Sequence, residues 1–416
     1  MVIVFLLLAL TVLVGANWYL WRRLFRDTTR GPGWARRAGA VLIAGGWALA
    51  IGALVAERTG APFWLQRTLA WPGFLWLALS VYLLLGTVAG EAVRPLLRRF
   101  LERREKRTRP VEEPVAVGAA VPAGVPAEER PESAEAPEPP STPSRRLFVS
   151  RVVGGAAATV AVGTVGQGTY GVLRGPRVKR VTVPLAKLPR AAHGYRIAVV
   201  SDIHLGPVLG RGFAQKVVDT INATQPDLIA VVGDLVDGSV KDLGPAAAPL
   251  SRLRARHGSF FVTGNHEYFS GAEQWVEEVR RLGIDPLENA RTELPWFDLA
   301  GVNDIAGESE GQGPDFSRAL GDRDTTRACV LLAHQPVQIH DAVRHGVDLQ
   351  LSGHTHGGQL WPGSLIAEAA NPTVAGLERY GDTQLYVSRG AGAWGPPTRV
   401  GAPSDITVIE LAARKT

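Results

Sequence analysis

The chain has 416 residues, enough for two or three domains, and carries a formal net charge of +6. Its single cysteine, Cys329, excludes an internal disulfide framework and a cysteine-based metal site. Tryptophans and long aliphatic runs crowd residues 1–91, whereas all nine histidines follow residue 192. Apolar mass and reactive side chains therefore lie in different parts of the chain.

Three apolar runs in the N-terminal region, 1–21, 38–56 and 69–90, are long enough to cross a bilayer as helices. A buried core helix is the alternative for each run, but three charge-poor runs in succession favour membrane spans. The first run also lacks the basic start and the small-residue cleavage site of a cleaved signal peptide. We therefore predict that residues 1–91 form a membrane region with three transmembrane helices.

Basic clusters indicate the orientation of these spans. One arginine cluster lies at 22–37 and a second basic cluster at 94–109, whereas the connection at 57–68 is nearly neutral. Because basic loops stay in the cytoplasm, we expect the N-terminus outside and the residues after 90 inside.

A linker is predicted at 92–144. Its stretch 108–144 is rich in Pro, Ala and Glu and has no aromatic residue, so it cannot bury enough apolar surface to fold. We interpret it as disordered and cytoplasmic, and a proline-rich docking segment is the alternative.

A fourth crossing is predicted within 145–175, where the sequence SRRLF at 144–148 precedes a Gly-rich apolar run at 152–172. This pattern resembles a twin-arginine signal, which would make the twin-arginine translocase a partner, and an ordinary span is the alternative. Both interpretations predict a multi-pass protein of the cell membrane whose C-terminal domain is extracytoplasmic. If the run were only a surface hinge, that domain would stay in the cytoplasm.

From residue 195 onward, short β-rich runs alternate with amphipathic helical patterns, which is typical of α/β folds. Helices are predicted at 212–223, 272–282 and 337–345. The predicted strands are 195–201, 227–232, 259–263, 330–333, 348–351, 384–388 and 406–411.

Five polar clusters each follow a predicted strand, which is where the ligand sites of α/β sheets gather. Asp, Asn and His supply the oxygen and nitrogen ligands that suit Mn, Fe and Zn. One cluster alone is a weak signal, because a lone histidine at a strand end is more often structural. The clusters are Asp202-Ile203-His204, Gly233-Asp234-Leu235-Val236-Asp237, Gly264-Asn265-His266-Glu267, His334 and Gly353-His354-Thr355-His356.

This ordered set resembles the calcineurin-like metallophosphoesterase superfamily, whose pattern is DxH, GDxxD, GNH[DE], a lone H and GHxH, and looks like its membrane-associated bacterial branch. The resemblance covers about 192–412 and implies a mixed α/β fold, a β-sandwich flanked by helices. It also implies two divalent metal ions (Mn, Fe or Zn, with Mn favoured). By this resemblance, one metal is held by Asp202, His204, Asp234 and His356, and the second by Asp234, Asn265, His334 and His354.

The resemblance implies a function as well. We expect hydrolysis of a phosphodiester or phosphomonoester of the cell envelope by a hydroxide that bridges the two metals. His266 would be the catalytic histidine near the leaving group, and Asp237 a supporting residue. A non-catalytic membrane sensor of a phosphorylated ligand is one alternative, which the complete ligand set disfavours. A nuclease is another, but the C-terminal half has no basic and aromatic stripe, so no nucleic acid partner is expected.

Overall fold

The computed structural model describes residues 2–108 and 145–414. The chain divides into two compact units, of which the first contains Met1–Ile43 and Leu83–Ala161 and the second contains Ala44–Tyr82 and Val162–Thr416. The Pro-rich part of the predicted linker, 109–144, lies outside the described residues.

Four long helices form the N-terminal region: α1 (Val2–Trp21), α2 (Trp34–Arg58), α3 (Phe63–Thr108) and α4 (Arg145–Leu173). In the described part of the chain, α2, α4 and the stretch Phe63–Arg104 of α3 are long and apolar enough to cross a membrane. The first predicted span coincides with α1, and its membrane crossing stays a prediction.

Helix α3 extends further than the sequence analysis expected. Residues 92–108 are helical, whereas the disordered linker was predicted to begin at residue 92. Leu, Arg and Glu, which are strong helix formers, dominate this stretch. The linker prediction is therefore wrong for 92–108.

Within the first unit, an ion-pair network and a close helix crossing join the helices. Arg23 pairs with Asp27 at 2.9 Å and with Glu91 at 2.8 Å. Where α3 meets α4, a Cβ added at Gly86 would lie 3.3 Å from the Cβ of Ala157. Small residues at such a crossing let two helix backbones approach closely.

The described C-terminal residues form twelve strands and seven further helices. The strands are β1 (Arg177–Leu185), β2 (Tyr195–Val200), β3 (Leu228–Val232), β4 (Ser259–Val262), β5 (Asp285–Pro286), β6 (Ala290–Glu293), β7 (Phe297–Gly301), β8 (Ala328–Leu332), β9 (Leu349–Ser352), β10 (Gly376–Tyr380), β11 (Thr383–Val387) and β12 (Asp405–Ala413). The helices are α5 (Arg211–Ala223), α6 (Val240–Ala247), α7 (Asn265–Ser270), α8 (Ala272–Arg281), α9 (Phe316–Leu320), α10 (Ile339–Arg344) and α11 (Gly363–Ala370).

The strands form two six-stranded sheets, with the orders β1-β12-β2-β3-β4-β5 and β10-β11-β9-β8-β7-β6. Strands β2, β3 and β4 are parallel in the first sheet, and β7, β8 and β9 are parallel in the second. The carboxyl ends of each parallel set therefore meet at one edge of their sheet.

Alternate residues of the central strands pack into different apolar layers. In β3, Leu228 and Val232 join the layer shared by the two sheets, whereas Ile229 and Val231 pack with the helices that cover the first sheet. This is the two-residue period of a strand that is buried on both faces. A third layer covers the outer face of the second sheet. The predicted mixed α/β fold, a two-sheet sandwich flanked by helices, is thereby confirmed.

Candidate metal centre

The loops after five strands bring all nine predicted site residues together. Each of these strands is buried along almost all of its length, and the polar site residues follow its last residue. Asp202 and His204 follow β2, Asp234 and Asp237 follow β3, Asn265 and His266 follow β4, His334 follows β8, and His354 and His356 follow β9.

Five of these residues adopt a left-handed backbone conformation, with φ between 49° and 72°: Asp202, His204, Asp234, His354 and His356. This conformation costs non-glycine residues on the order of 1–3 kcal/mol each and persists where surrounding contacts enforce it. Here the amide of Asp202 donates to the carbonyl of Gly233 at 3.0 Å, and the amide of His204 donates to the carbonyl of Asp234 at 3.1 Å. The first two loops are thus fastened together in a strained geometry.

Two groups of potential ligand atoms converge on Asp234. In the first group, one atom each from Asp202, His204, Asp234 and His356 lie within 4.8 Å of one another. In the second group, atoms of Asp234, His334 and His354 do so. Asn265 adjoins the second group, since its Oδ1 lies 3.0 Å from Nδ1 of His354. The groups match the two ligand sets expected from the sequence, whose roles stay predictions.

The hydrogen bonding of His334 tests whether a cation fits. Its Nδ1 donates to the carbonyl of Val232 at 2.8 Å, so Nε2 is the ring nitrogen that faces the candidate centre. That nitrogen is buried without a hydrogen-bond donor and lies 3.2 Å from Oδ2 of Asp234, itself an acceptor. Burial lowers the pKa of His334, but Asp234 more than offsets this and raises it well above its usual range, so positive charge is favoured between these two atoms, as a proton or as a bound cation. The donor set is therefore suited to a divalent metal.

A third group joins His204, Asp237 and His266. Oδ1 of Asp237 lies 2.8 Å from Nδ1 of His204 and 2.7 Å from Nδ1 of His266, so one carboxylate oxygen accepts from both rings. A carboxylate behind a metal-binding histidine fixes the tautomer and the ring orientation. The contact turns Nε2 of His204 towards the first group, where it lies 3.0 Å from Nε2 of His356.

Burial and neighbouring charges set the pKa values of the site residues. Burial opposes ionisation of Asp234, but His334 and His204 outweigh it and hold the pKa of Asp234 well below its usual range. Burial, with His334 nearby, lowers the pKa of His354 to about 4, which keeps its ring neutral. Burial lowers the pKa of His266 as well, but the hydrogen bond to Asp237 more than offsets this and raises the pKa of His266 to about 9.

Sequence reasoning missed the structural role of Glu267. Its fully buried carboxylate accepts from the backbone amides of Asp234 at 3.0 Å, Leu235 at 2.8 Å and Gly264 at 2.6 Å. Burial, together with the nearby charge of Asp234, raises the pKa of Glu267 to about 7. The residue fastens the second loop to the third, and its place in the GNHE motif was the available signal.

Arg399 was also missed. Its buried guanidinium donates to the carbonyl of His356 at 2.9 Å and to the carbonyl of Gly392 at 2.6 Å. The segment that carries it contacts α4, because the hydroxyls of Thr169 and Thr398 lie 2.7 Å apart. No local pattern in the Gly- and Pro-rich sequence around residue 399 indicates this role.

Gly168 of α4 permits that contact. A Cβ at Gly168 would lie 2.8 Å from the carbonyl oxygen of Arg399 and 2.8 Å from Cγ2 of Thr398. Both distances are shorter than van der Waals contact, so α4 can approach this loop only where it has glycine.

Comparisons with known proteins identify the family. The family described as calcineurin-like phosphoesterase matches residues 195–358. A Danio rerio relative named transmembrane protein with metallophosphoesterase domain is 40% identical over 57% of this chain and 57% of its own length. An uncharacterized metallophosphoesterase of Helicobacter pylori is 36% identical over 65% of this chain and 73% of its own length. A solved dimetal phosphatase from Danio rerio is 13% identical, with a TM-score of 0.35, and the match covers 48% of this chain and 88% of that chain.

The fold and the site define a mixed α/β protein with a His/Asp cluster that can bind metal at the edges of its sheets. The chain belongs to the metallophosphoesterase family. It spans little more than half the length of its zebrafish relative.

Proposed function

We propose that the chain is a membrane-anchored phosphoesterase that hydrolyses a phosphodiester or phosphomonoester at the candidate metal centre. The observation that carries the proposal is the carboxylate of Asp234, on which both groups of ligand atoms converge. A shared carboxylate is the geometry that holds two cations beside one phosphoryl group.

The residues have separate roles in this proposal. Asp202, His204, Asp234 and His356 hold one divalent ion, and Asp234, Asn265, His334 and His354 hold the other. Two bound cations, Mn, Fe or Zn with Mn favoured, supply positive charge for the phosphoryl group and lower the pKa of a nucleophilic water.

In this proposal His266 acts on the leaving oxygen of the substrate. Its Nδ1 is held by Asp237 at 2.7 Å, so Nε2 is the ring atom left to donate a proton or to stabilise the departing charge. Asn265 is a neutral ligand, and the centre keeps positive charge for an anionic substrate.

We also propose that the domain is extracytoplasmic and belongs to a multi-pass protein of the cell membrane. In the second unit, the guanidinium of Arg58, at the end of α2, lies 4.9 Å from the ring centre of Phe269. The turn after α2 is predicted outside by the basic clusters. Contact with that turn supports the same side for the catalytic domain. Export of the domain by the twin-arginine translocase is part of this proposal.

The test separates ligand from catalyst in the full-length chain, purified in detergent and loaded with Mn. Asp234→Asn should lose both metals, because one carboxylate serves two cations. His266→Ala should keep its metals while turnover of a nitrophenyl phosphodiester falls about 10²–10⁴-fold. His340→Ala, an exposed histidine of α10, is the matched control and should behave as wild type. Equal metal loss in the first two variants would make His266 a ligand, and full loading without any turnover would favour the sensor alternative.

A further inference from the structure

Large apolar side chains are exposed beside the candidate metal centre. Phe269 and Trp394 are 61% and 47% exposed, and the ring centre of each lies 5.7 Å from that of His266. On the loop before α11 and on α11 itself, Trp361, Leu365 and Ile366 are 54%, 63% and 76% exposed. We refer to these five residues as the apolar rim. Clustered exposure of this kind marks a binding surface rather than ordinary protein surface.

The two parts of the apolar rim are joined through Gln359. Its Nε2 donates to the carbonyl of Trp394 at 2.9 Å, and its Oε1 accepts from the amide of Trp394 at 3.1 Å. Two residues further on, the amide of Trp361 donates to the carbonyl of Val400 at 2.9 Å. The apolar rim therefore runs from the ring of His266 to α11.

The second unit also contains the stretches of α2 and α3 that adjoin the apolar rim. Tyr82 lies inside the apolar run 69–90 of α3, and its hydroxyl donates to the carbonyl of Trp361 at 3.0 Å. This hydrogen bond places the start of α11 against a helix that is apolar enough to cross a membrane. Among the described residues no protein surface covers Leu365 and Ile366, so beside a bilayer-spanning helix they would contact lipid.

We propose that the substrate is a phosphoester carried by a membrane lipid, an inference that rests on the proposed phosphoesterase function. The phosphoryl group lies at the metal centre, and the hydrocarbon chain leaves across the apolar rim into the bilayer. Arg58 adds a cation beside Phe269 that suits an anionic head group. The reaction is hydrolysis: the oxygen of water forms a new P–O bond, the P–O bond to the leaving oxygen breaks, and that oxygen takes up a proton.

The experiment uses the full-length protein in lipid nanodiscs, with its Mn content measured. Three 4-nitrophenyl phosphodiesters share one leaving group and differ only in a methyl, octyl or dodecyl chain. Burying one methylene strengthens binding by up to roughly fourfold. Because the dodecyl ester has many more methylenes than the methyl ester, its KM should be at least tenfold lower even if only some of them are buried. In the double variant Leu365→Glu and Ile366→Glu, the ratio of the KM for the methyl ester to the KM for the dodecyl ester should fall towards one. Both proteins face the same bilayer, so partition of the esters into lipid affects them equally.

Val343→Glu is the matched control. Val343 is 38% exposed on α10, and it lines a surface depression with Val347 and Asp348 at the amino end of β9, whereas the metal centre follows its carboxyl end. This variant should keep the wild-type chain-length ratio.

Each other outcome overturns the inference. If wild-type protein hydrolyses all three esters with equal KM, the lipid substrate is wrong while the phosphoesterase function stands. If the double variant keeps the wild-type ratio, the apolar rim does not hold the chain. If metal-loaded protein hydrolyses none of the esters, the phosphoesterase proposal itself fails, and the lipid inference fails with it.

Discussion

Replacing Asp237 tests the geometry of the centre most directly. One oxygen of its carboxylate accepts from His204 at 2.8 Å and from His266 at 2.7 Å, and the side chain of His204 is fully buried. Asp237→Ala would leave both ring N–H groups without their acceptor. Asp237→Asn would keep an acceptor oxygen in place and remove only the charge. The pair of variants thus separates hydrogen bonding from charge.

The magnitude follows from the two contacts. A hydrogen bond to a charged group is worth about 1.5–3 kcal/mol, so the alanine variant loses roughly 3–6 kcal/mol of gross interaction. Water can replace part of this at His266, whose side chain is 15% exposed. Loss of a carboxylate behind a metal-binding histidine costs about 10–100-fold in metal affinity or activity. We expect the metal affinity or activity to fall about 100-fold in Asp237→Ala and about tenfold in Asp237→Asn.

The assay is Mn titration of the full-length chain against a competing indicator dye, followed by turnover of a nitrophenyl phosphodiester at saturating Mn. Asp382→Asn, at a fully exposed carboxylate, is the control and should match wild type. If Asp237→Ala binds Mn and turns over like wild type, the contacts with His204 and His266 do not support the centre and the reasoning is refuted.

Three further outcomes are expected. Gly264→Ala should cost about 1–3 kcal/mol in unfolding free energy and weaken Mn binding, because the new Cβ would overlap the carboxylate of Asp234; an unchanged melting temperature and metal content would contradict this. Burial raises the pKa of the Cys329 thiol to about 12, so a thiol reagent at pH 8 should label it only after unfolding, and rapid labelling of the folded chain would be the adverse result. Replacing Arg145 and Arg146 with Lys should shield the domain from protease added to spheroplasts; a shielded wild-type domain would refute the outside placement, and normal export of the Lys pair would refute only the twin-arginine interpretation.

The strands that the sequence predicted combine apolar residues with isolated polar ones, such as Gln350 in 348–351 and Glu410 in 406–411. All seven were found within two residues of their expected ends, and each lies between two other strands of its sheet, where burial on both faces favours apolar residues. Strand β7 was missed, and its buried carboxylate, Asp298, is paired with Arg327 at 2.8 Å. Strand β1 was missed because it is an edge strand with exposed basic residues. Neither the ion pair of Asp298 nor the edge position of β1 can be read from the sequence, because both depend on which strands pair.

The candidate site was predictable to the extent that its residues follow strands in a recognisable order. Position after a strand places Asp234 and His334 at the sheet edges, since parallel strands bring their carboxyl ends together. The amides that Glu267 binds come from two different loops, and Arg399 reaches His356 from a distant segment of the sequence. Such contacts depend on the folded chain and have no local spacing that could reveal them.

The contact of α4 with the loop of Arg399 bears on whether the domain can leave the membrane. Thr169 and Thr398 meet at 2.7 Å, and Arg399 holds the carbonyl of His356. A protein that is shed from a membrane by proteolysis needs a catalytic domain that keeps its shape without the severed helix. Here, loss of α4 would unfasten the segment that supports His356. A shed form should therefore bind Mn less tightly than the full-length chain, which would tie catalytic competence to the proposed membrane anchor.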